Sequence, residues 1–567
     1  MMGESSGNLF KVRKVDLENP HIVANAGLDD QEDLEDIHHE EQLQFLDAKY
    51  LSGDPKRPLK NTDNAGNVYT YVLNPFAYCV MFILILEALE RLSYYGVSYT
   101  QTSYLSGHYD AEWNAGFDSV ASASLTQTST AIAYTAPFVG AIIADGFIGT
   151  YWTIALFTAF VYIPGLLLIA LTAYPFLLGS TFPTTVIRVA LMAFYPIGAG
   201  ALKSCVNVLG AQQFHPLQKL AIEKYYVRFY MFINIGALVG GIIIPIICQG
   251  GGVDVFYAYM IPVVCLSLGL LVFVLGTSRY VRPKPQGSVI LQTVGAACRS
   301  LTVCPPSLEK MKETNGGRYE DCFVEKVKVM GALLLLMCYI VPFNIIYSQM
   351  LSVFIIQGNN MIPAGFIDAS MMQNFDAISV LLSGWLIGSF LYPYLAKRGI
   401  VLHMMTKFAI GTAFSVVAIL CAIIVDYQIH SVYASTGGQI SVMWQIFSFF
   451  LIGVGEIFLI SSAYEAAFKL SPDGFKAFGS AINLFFIGGV ANYISTALLN
   501  ACNGYFLAAN GDSDLDTIQK YSEAHVYNYM WILFGIAVAG VIACLLPWSR
   551  DFYSFIESKS SHIASKN

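Results

Sequence analysis

Residues 74–96 read NPFAYCVMFILILEALERLSYYG, an apolar run that is long enough to cross a membrane and yet contains three ionisable side chains. Glu87, Glu90 and Arg91 stand at i, i+3 and i+4, so they project from one face of the helix that this run predicts. A single charge at the centre of a membrane helix costs roughly 3 kcal/mol. Three such charges within one turn indicate a functional cluster that pairs internally and faces a wet interior. A structural ion pair that orients the helices is the alternative.

The composition is that of an integral membrane protein. Of the 567 residues, 55% are hydrophobic and 12% are charged, whereas soluble domains have about 25% charged residues. The net charge of −8 arises largely from the acidic segment 1–60, which is predicted to be disordered or a short surface helix. No signal peptide is expected, and nothing in the chain indicates binding to nucleic acid. The eleven cysteines are scattered without a CxxC pair, so a disulfide framework is not expected.

Twelve apolar segments follow one another in two groups of six, separated by a long basic interval at 277–330. The loops on the same side as this interval hold most of the lysines and arginines between the spans. The loops on the opposite side together contain one basic residue, Lys520. This bias predicts that both termini are cytoplasmic, and two groups of six helices are typical of a transporter with pseudo-symmetric halves. The predicted segments lie near 77–105, 128–147, 152–173, 184–209, 226–249, 256–276, 331–353, 373–393, 403–425, 441–464, 476–499 and 528–548.

The predicted fold class is therefore all-α integral membrane, with 12 transmembrane helices in two six-helix bundles. The predicted location is a multi-pass position in the plasma membrane. The predicted divisions are an acidic cytoplasmic N-terminal tail (1–74), an N-terminal six-helix bundle (75–276), a cytoplasmic linker (277–330), a C-terminal six-helix bundle (331–550) and a cytoplasmic C-terminal tail (551–567).

Beyond the first helix, four charged residues are candidates for a position at or near membrane depth. Glu456 has apolar residues on both sides, which favours a binding role. Lys203 interrupts YPIGAGALKSCVNVLG and could instead snorkel towards the nearby end of its span. Glu465 and Asp145 fall near helix ends, where a cap or a loop clamp explains them equally well.

Histidine is absent from the middle of every predicted span, so carboxylates must carry any transported proton. Burial disfavours the charged form of Glu87 and Glu90, while the neighbouring Arg91 favours it. An exchange of partners by Arg91 as the two halves rock would couple protonation to alternating access. This hypothesis fails if Glu87→Gln leaves uphill uptake and its pH dependence unchanged.

The sequence resembles the proton-coupled oligopeptide transporter family, within the major facilitator superfamily, and its pattern looks closest to fungal-type eukaryotic members. Five blocks occur in family order over about residues 75–550. The blocks are Glu87-x-x-Glu90-Arg91-x-x-Tyr94-Tyr95-Gly96, Gly140-Ala141-Ile-Ile-Ala144-Asp145-x-x-x-Gly149-x-x-x-Thr153-Ile154, Gly198-x-Gly200-x-x-Lys203, Phe229-Tyr230-x-x-Ile233-Asn234-x-Gly236-x-Leu238, and Glu456 followed by Pro472 and Lys476.

The resemblance implies a major facilitator fold and a role for each matching position. Glu87, Glu90 and Arg91 would form the proton-coupling cluster. Lys203 would face them and engage the peptide carboxylate, while Glu456 would attract the peptide amino terminus. Such opposite poles suit a free peptide, because a free peptide is a zwitterion. The other substrate-binding side chains that the resemblance implies are Tyr94, Tyr95, Tyr134, Tyr230, Asn234 and Asn374.

The sequence departs from the family pattern at several positions. Ser98 and Ser348 stand where many members have an arginine and an acid, so the outer gate must close by hydrogen bonds or packing. Asn344 and Asn483 replace aromatic residues, which would change the side-chain pockets and the substrate range. The histidine that animal relatives place in the second helix falls at Gln127.

The predicted function is a proton-coupled symporter that imports di- and tripeptides by alternating access. Its partners would be small peptides, protons and the lipid bilayer, with no cofactor and no metal. One alternative keeps the fold and transports nitrate, amino acids or another small organic anion. A nutrient-sensing receptor with low flux is the second alternative. An enzyme is not predicted, because no catalytic or metal-ligand constellation lies at membrane depth.

Overall fold

The computed structural model of the chain consists of long α-helices that run back and forth between two ends. Eleven helices in the described residues are long and apolar enough to cross a membrane. A twelfth, Met81–Leu105, is long enough but more polar, because it contains Glu87, Glu90 and Arg91. The predicted all-α membrane fold is confirmed. The structure describes residues 43, 46–63, 66–285, 287–302, 307–398, 402–472 and 474–564.

Six helices form the N-terminal bundle and pack around one apolar core. Their bounds are α1, Met81–Leu105, α2, Ser119–Ile148, α3, Thr150–Ala173, α4, Thr184–Ala211, α5, Lys219–Cys248, and α6, Val253–Leu275. Six more helices form the C-terminal bundle around a second core. Their bounds are α7, Asp321–Asn359, α8, Ser370–Leu391, α9, Met404–Thr436, α10, Val442–Leu470, α11, Lys476–Ala501, and α12, Val526–Leu545.

Local capping chemistry sets several helix ends. The Asp118 side chain accepts a hydrogen bond from the backbone N–H of Ala121 at the start of α2. Gly149 has φ +84° between α2 and α3, a backbone conformation that a side chain would strain. Within the spans, helical hydrogen bonds satisfy the backbone groups that lipid cannot.

Two glycines of α5 bring that helix against the charged turn of α1. A Cβ at Gly236 would collide with the carbonyl oxygen of Ala88 and lie 2.8 Å from Cβ of Arg91. One turn further along, a Cβ at Gly240 would collide with the carbonyl oxygen of Leu92. Small residues at such positions let membrane helices approach closely, so α5 closes one side of the turn that carries the charges.

Part of the predicted N-terminal tail is folded. Strand β1, Leu59–Thr62, pairs antiparallel with β2, Val68–Tyr71, and Leu59 and Tyr71 pack on Val281 in one apolar cluster. The ring of His215 meets Tyr71 edge-on at 5.3 Å, and burial lowers the pKa of His215. The segment predicted as a tail at 1–74 therefore contains two paired strands that pack on the rest of the chain, whereas 1–42 lies outside the described residues.

The linker and the C-terminal segment contain helices of their own. A linker helix spans Val289–Thr302, and α7 begins at Asp321, ten residues before the predicted boundary at 331. A terminal helix, Pro547–Ala564, contacts the C-terminal bundle through an ion pair of 2.6 Å between Lys469 Nζ and Glu557 Oε1. The C-terminal segment is therefore helical where a tail was predicted.

The two bundles are joined by hydrogen bonds at the end away from the linker. We call these bonds the gate. Ser98 Oγ bonds to Tyr195 OH at 2.8 Å, and Ser348 Oγ donates to Ser495 Oγ at 3.0 Å, so neither serine bridges the bundles. The gate bonds include Thr102 Oγ1 to Leu351 O at 2.5 Å, Tyr109 OH to Asp368 Oδ2 at 3.2 Å, Gln127 Nε2 to Ser352 Oγ at 2.7 Å and to Ser495 Oγ at 2.8 Å, and Asn374 Nδ2 to Gly241 O at 2.7 Å.

Asp368 gives the gate a dependence on pH. Burial raises the pKa of Asp368 from its ordinary 3.8 to about 6. Between these two pKa values Asp368 is protonated in the folded protein, whereas a solvated Asp368 would be ionised. The stability of the folded protein with its closed gate therefore falls as the pH rises from 3.8 to about 6, and it is constant above that. The full change amounts to about 3 kcal/mol, since each pKa unit corresponds to about 1.4 kcal/mol. We expect Asp368→Asn to remove this slope from thermal unfolding of the purified protein.

The matched control for this prediction is Asp551→Asn, which removes an exposed acid from the terminal helix at the linker end. The control should keep the slope of the wild type. An unchanged slope in Asp368→Asn would show that other groups govern the pH response.

Candidate functional site

The three charges of α1 form one buried ion-pair cluster. Glu87, Glu90 and Arg91 are 3%, 0% and 5% exposed. Nε of Arg91 lies 3.1 Å from Oε1 of Glu87, and Nη2 of Arg91 pairs with Oε2 of Glu90. Tyr162 of α3 donates from its hydroxyl to Oε1 of Glu90 at 3.1 Å. One guanidinium thus holds two carboxylates, and the spacing predicted from the sequence brings all three together.

Lys203 of α4 lies between two aromatic rings. Its Nζ is 3.7 Å from the ring centre of Tyr94 and 4.1 Å from that of Tyr134. Among the described residues Nζ has no hydrogen-bond partner, although it is buried. Cation–π attraction stabilises the ammonium and leaves its N–H donors unused, so Lys203 is poised to bind an anionic oxygen.

Tyr94 and Tyr134 form a cage around the Lys203 ammonium, and the C-terminal bundle contacts one wall of this cage. Gly488 of α11 packs on the ring of Tyr134 so closely that any side chain at position 488 would collide with it. Tyr94 stacks on Tyr195 of α4, with ring centres 5.8 Å apart. One face of the lysine cage is therefore fixed within the N-terminal bundle and the other rests on the C-terminal bundle.

Glu456 of α10 lies in the space between the bundles. It is half-buried and forms no ion pair with the part of the chain that the structure describes. Tyr464, two turns further along α10, is 43% exposed and lies within electrostatic range of Tyr230 and Arg91 of the N-terminal bundle. Its exposed face therefore borders the inter-bundle space, which the gate closes at the far end.

The other predicted site residues fall in three places. Tyr95 packs between Tyr94 and a tyrosine one turn along, at 5.4 Å and 5.5 Å, close to the charged cluster. On α5, Tyr230 is 47% exposed, and Asn234 Nδ2 donates to its carbonyl oxygen at 2.8 Å. Asn374 instead lies in the gate, where its amide joins α8 to α5.

Sequence reasoning missed Asp376, a buried acid on α8. It is 7% exposed and interacts electrostatically with Glu456. The predicted span began at 373, only three residues before Asp376, whereas the helix begins at Ser370. The signal was present, since an acid six residues inside a membrane helix is a functional candidate.

The two asparagines that replace aromatic residues are fully buried. Nδ2 of Asn344 donates to the carbonyl oxygen of Ile340 at 2.8 Å, while neither polar atom of the Asn483 side chain has a partner in the described residues. No group of three or more His, Cys, Asp or Glu side chains in the described ranges could hold a metal ion.

Comparison with known proteins identifies relatives over most of the chain. The model of a family described as the POT family matches residues 151–507. Protein NRT1/PTR FAMILY 8.2 of Arabidopsis thaliana is 26% identical over 545 residues, which covers 84% of this chain and 93% of that protein. Solute carrier family 15 member 1 of Homo sapiens is 26% identical over 374 residues, which covers 62% of this chain and 52% of that protein.

Solved structures share the fold. The POT family transporter PepTSo superposes with a TM-score of 0.67 at 20% identity, covering 84% of this chain and 98% of that one. A POT family transporter in complex with 5-aminolevulinic acid gives a TM-score of 0.61 at 20% identity, with coverages of 82% and 95%.

Proposed function

This chain belongs to the POT family of multi-pass membrane transporters, and we propose that it is a proton-coupled symporter that imports di- and tripeptides. The observation that carries the proposal is a pair of unpaired opposite charges on facing bundles. Lys203 has free donors in its tyrosine cage, and Glu456 has no cationic partner among the described residues.

These two poles support a zwitterionic substrate. The carboxylate of a peptide would replace the aromatic faces around Lys203 with charge-assisted hydrogen bonds, which are roughly twice as strong as neutral ones. Its amino group would lie at Glu456, on the other bundle. The substrate would thereby bridge the two halves, which rock around such a midplane site in secondary transporters.

The α1 cluster supports proton coupling. Arg91 contacts both Glu87 and Glu90 in the present conformation, so loss of either contact as the bundles rock would favour protonation of the released carboxyl. An inward proton gains about 2.3 kcal/mol per 100 mV of membrane potential, and a pH gradient adds about 1.4 kcal/mol per unit. Coupling to either gradient would sustain accumulation of peptide.

A transporter of nitrate or another small anion is the rival with the same fold. Such a cargo suits Lys203 but has no cation for Glu456 or for the neighbouring acid, Asp376. An amino acid would satisfy both poles, as would 5-aminolevulinic acid, which has an amino and a carboxyl group. The charge pattern therefore favours a cargo with both groups over a simple anion.

The test is uptake of labelled alanyl-alanine into proteoliposomes that contain the full chain, with an imposed proton gradient and an inside-negative potential. We expect concentrative uptake that a protonophore abolishes. Glu87→Gln should abolish accumulation while leaving downhill exchange, and Glu456→Gln should weaken peptide uptake about tenfold, because a charged hydrogen bond contributes roughly 1.5–3 kcal/mol. Glu465→Gln is the matched control, because it removes a half-exposed acid of the same helix that pairs with Lys407 at 3.0 Å.

Each contrary result has a distinct meaning. Uptake of nitrate or amino acids without uptake of peptides would assign the cargo to the first alternative. Peptide binding without flux would indicate a sensor. We further propose a plasma-membrane location with the linker and both termini in the cytoplasm. The basic residues of the linker side support this orientation.

A further inference from the structure

The C-terminal bundle holds a second acid beside Glu456 for which a zwitterionic dipeptide offers no second cation. Asp376 is more than nine-tenths buried, and its Oδ1 has no hydrogen-bond partner in the described part of the chain. An unpaired buried carboxylate is costly. The position is therefore expected to be neutralised by something that the protein itself does not provide.

Gly453 directs the two acids towards each other. It lies three residues before Glu456, so both positions are on one face of α10. A Cβ at position 453 would lie 2.9 Å from Oδ1 of Asp376 and 2.8 Å from Cβ of Ser379. The absence of a side chain at Gly453 thus lets the carboxyl of Asp376 approach the face of α10 that carries Glu456.

The surroundings of the two acids favour a cation. Tyrosines from three other helices, Tyr99 of α1, Tyr230 of α5 and Tyr347 of α7, lie within electrostatic range of both carboxyls. No lysine, arginine or histidine among the described residues forms an ion pair with Asp376. Tyrosine faces attract ammonium and guanidinium groups, so aromatic rings and two carboxylates together describe a site for positive charge.

We propose that Asp376 and Glu456 form a dication subsite that selects substrates with a second positive charge beside the amino terminus, such as peptides whose first residue is lysine or arginine. The peptide identity of the cargo rests on the function proposed above, whereas the subsite itself requires only two neighbouring cationic groups. With a monocationic amine, one carboxyl must remain protonated, because two neighbouring carboxylates that share one cation away from bulk water cannot both stay ionised. A dication supplies one positive charge for each carboxylate, so that both Asp376 and Glu456 can be ionised.

The first test compares uptake of lysyl-alanine, alanyl-lysine and alanyl-alanine by the wild type and by Asp376→Asn, with Glu465→Gln as the control. We expect Asp376→Asn to lower the ratio of lysyl-alanine to alanyl-alanine uptake about tenfold, because one charged hydrogen bond is lost. Alanyl-lysine should follow alanyl-alanine. An equal loss for all three peptides, or an unchanged ratio, would overturn the proposal.

A second test separates this proposal from the proposed function. Thermal unfolding of the purified protein is measured with cadaverine and with pentylamine, which differ by one ammonium group. Cadaverine should stabilise the wild type more than pentylamine does, and Asp376→Asn should remove the excess. This result would support the subsite even if the wild type took up no peptide. Equal stabilisation by the two amines would overturn it even if peptide uptake were established.

Discussion

Arg91→Ala is expected to abolish proton-driven uptake and to destabilise the protein by about 3–5 kcal/mol, the usual cost of breaking a buried ion pair from one side. Arg91 is the cation that contacts both Glu87 and Glu90. Without it, two buried carboxylates would have to remain uncompensated or take up protons permanently. In either case the cluster could no longer exchange protons during a transport cycle. Thermal unfolding and gradient-driven uptake measure the two consequences separately.

The matched control is the neutral triple variant Glu87→Gln, Glu90→Gln and Arg91→Ala. It removes the unpaired charges together with the cation, so stability should recover towards that of the wild type while uptake stays lost. A triple variant as unstable as Arg91→Ala would contradict this account. The destabilisation would then come from the lost packing of Arg91, whose guanidinium lies 5.6 Å from the ring centre of Tyr94.

The twelve helices could be predicted because a bilayer leaves the chain few options. A lipid-exposed backbone must form its own hydrogen bonds, so each long apolar segment becomes a helix. The helix ends could not be predicted in the same way. The ninth segment was predicted to end at 425, whereas the helix continues to Thr436. This helix therefore contains both the buried Asp426 and His430, whose Nε2 lies 3.4 Å from Oδ2 of Asp426.

The N-terminal hairpin was missed for a different reason. Strands β1 and β2 have four residues each, too short for a clear alternation of apolar and polar side chains. Their stability depends on Val281 and His215, which lie more than 140 positions away in the sequence. Such a contact leaves no local signal, and the acidic composition of the neighbouring residues favoured a tail.

The candidate site was predictable where its geometry is local. The cluster at 87–91 follows from helical spacing within one turn. Which residues of α8 reach the candidate site depends on which face of that helix packs against α10. The sequence does not show which face this is. The family resemblance implied Asn374, which lies in the gate, whereas Asp376 faces Glu456. Two positions along a helix correspond to about 200°, so a shift of two residues moves a side chain to the opposite face.

Lys203→Ala should reduce uptake of peptides with a free carboxylate about 100-fold, because truncating one partner of a buried charge pair costs roughly 2–5 kcal/mol. Peptides with an amidated carboxyl terminus should lose far less, since they present no charge to Lys203. The variant should remain folded, because the ammonium has no hydrogen-bond partner in the described residues that would be left unpaired. Direct uptake of labelled alanyl-alanine and of labelled alanyl-alanine amide, each by the wild type and by the variant, measures the two losses separately.

Lys520→Ala is the control, since it removes a lysine whose ion pairs, with Asp512 at 2.8 Å and Asp516 at 2.9 Å, lie in the connection between α11 and α12 at the gate end. Surface pairs of this kind contribute roughly 0–1 kcal/mol, so both peptide forms should be transported as by the wild type. Equal losses of free and amidated peptides in Lys203→Ala would mean that Lys203 acts on the cage and not on the carboxylate. In that case Tyr134→Leu, which removes one ring of the cage and keeps the charge, should reproduce the same loss.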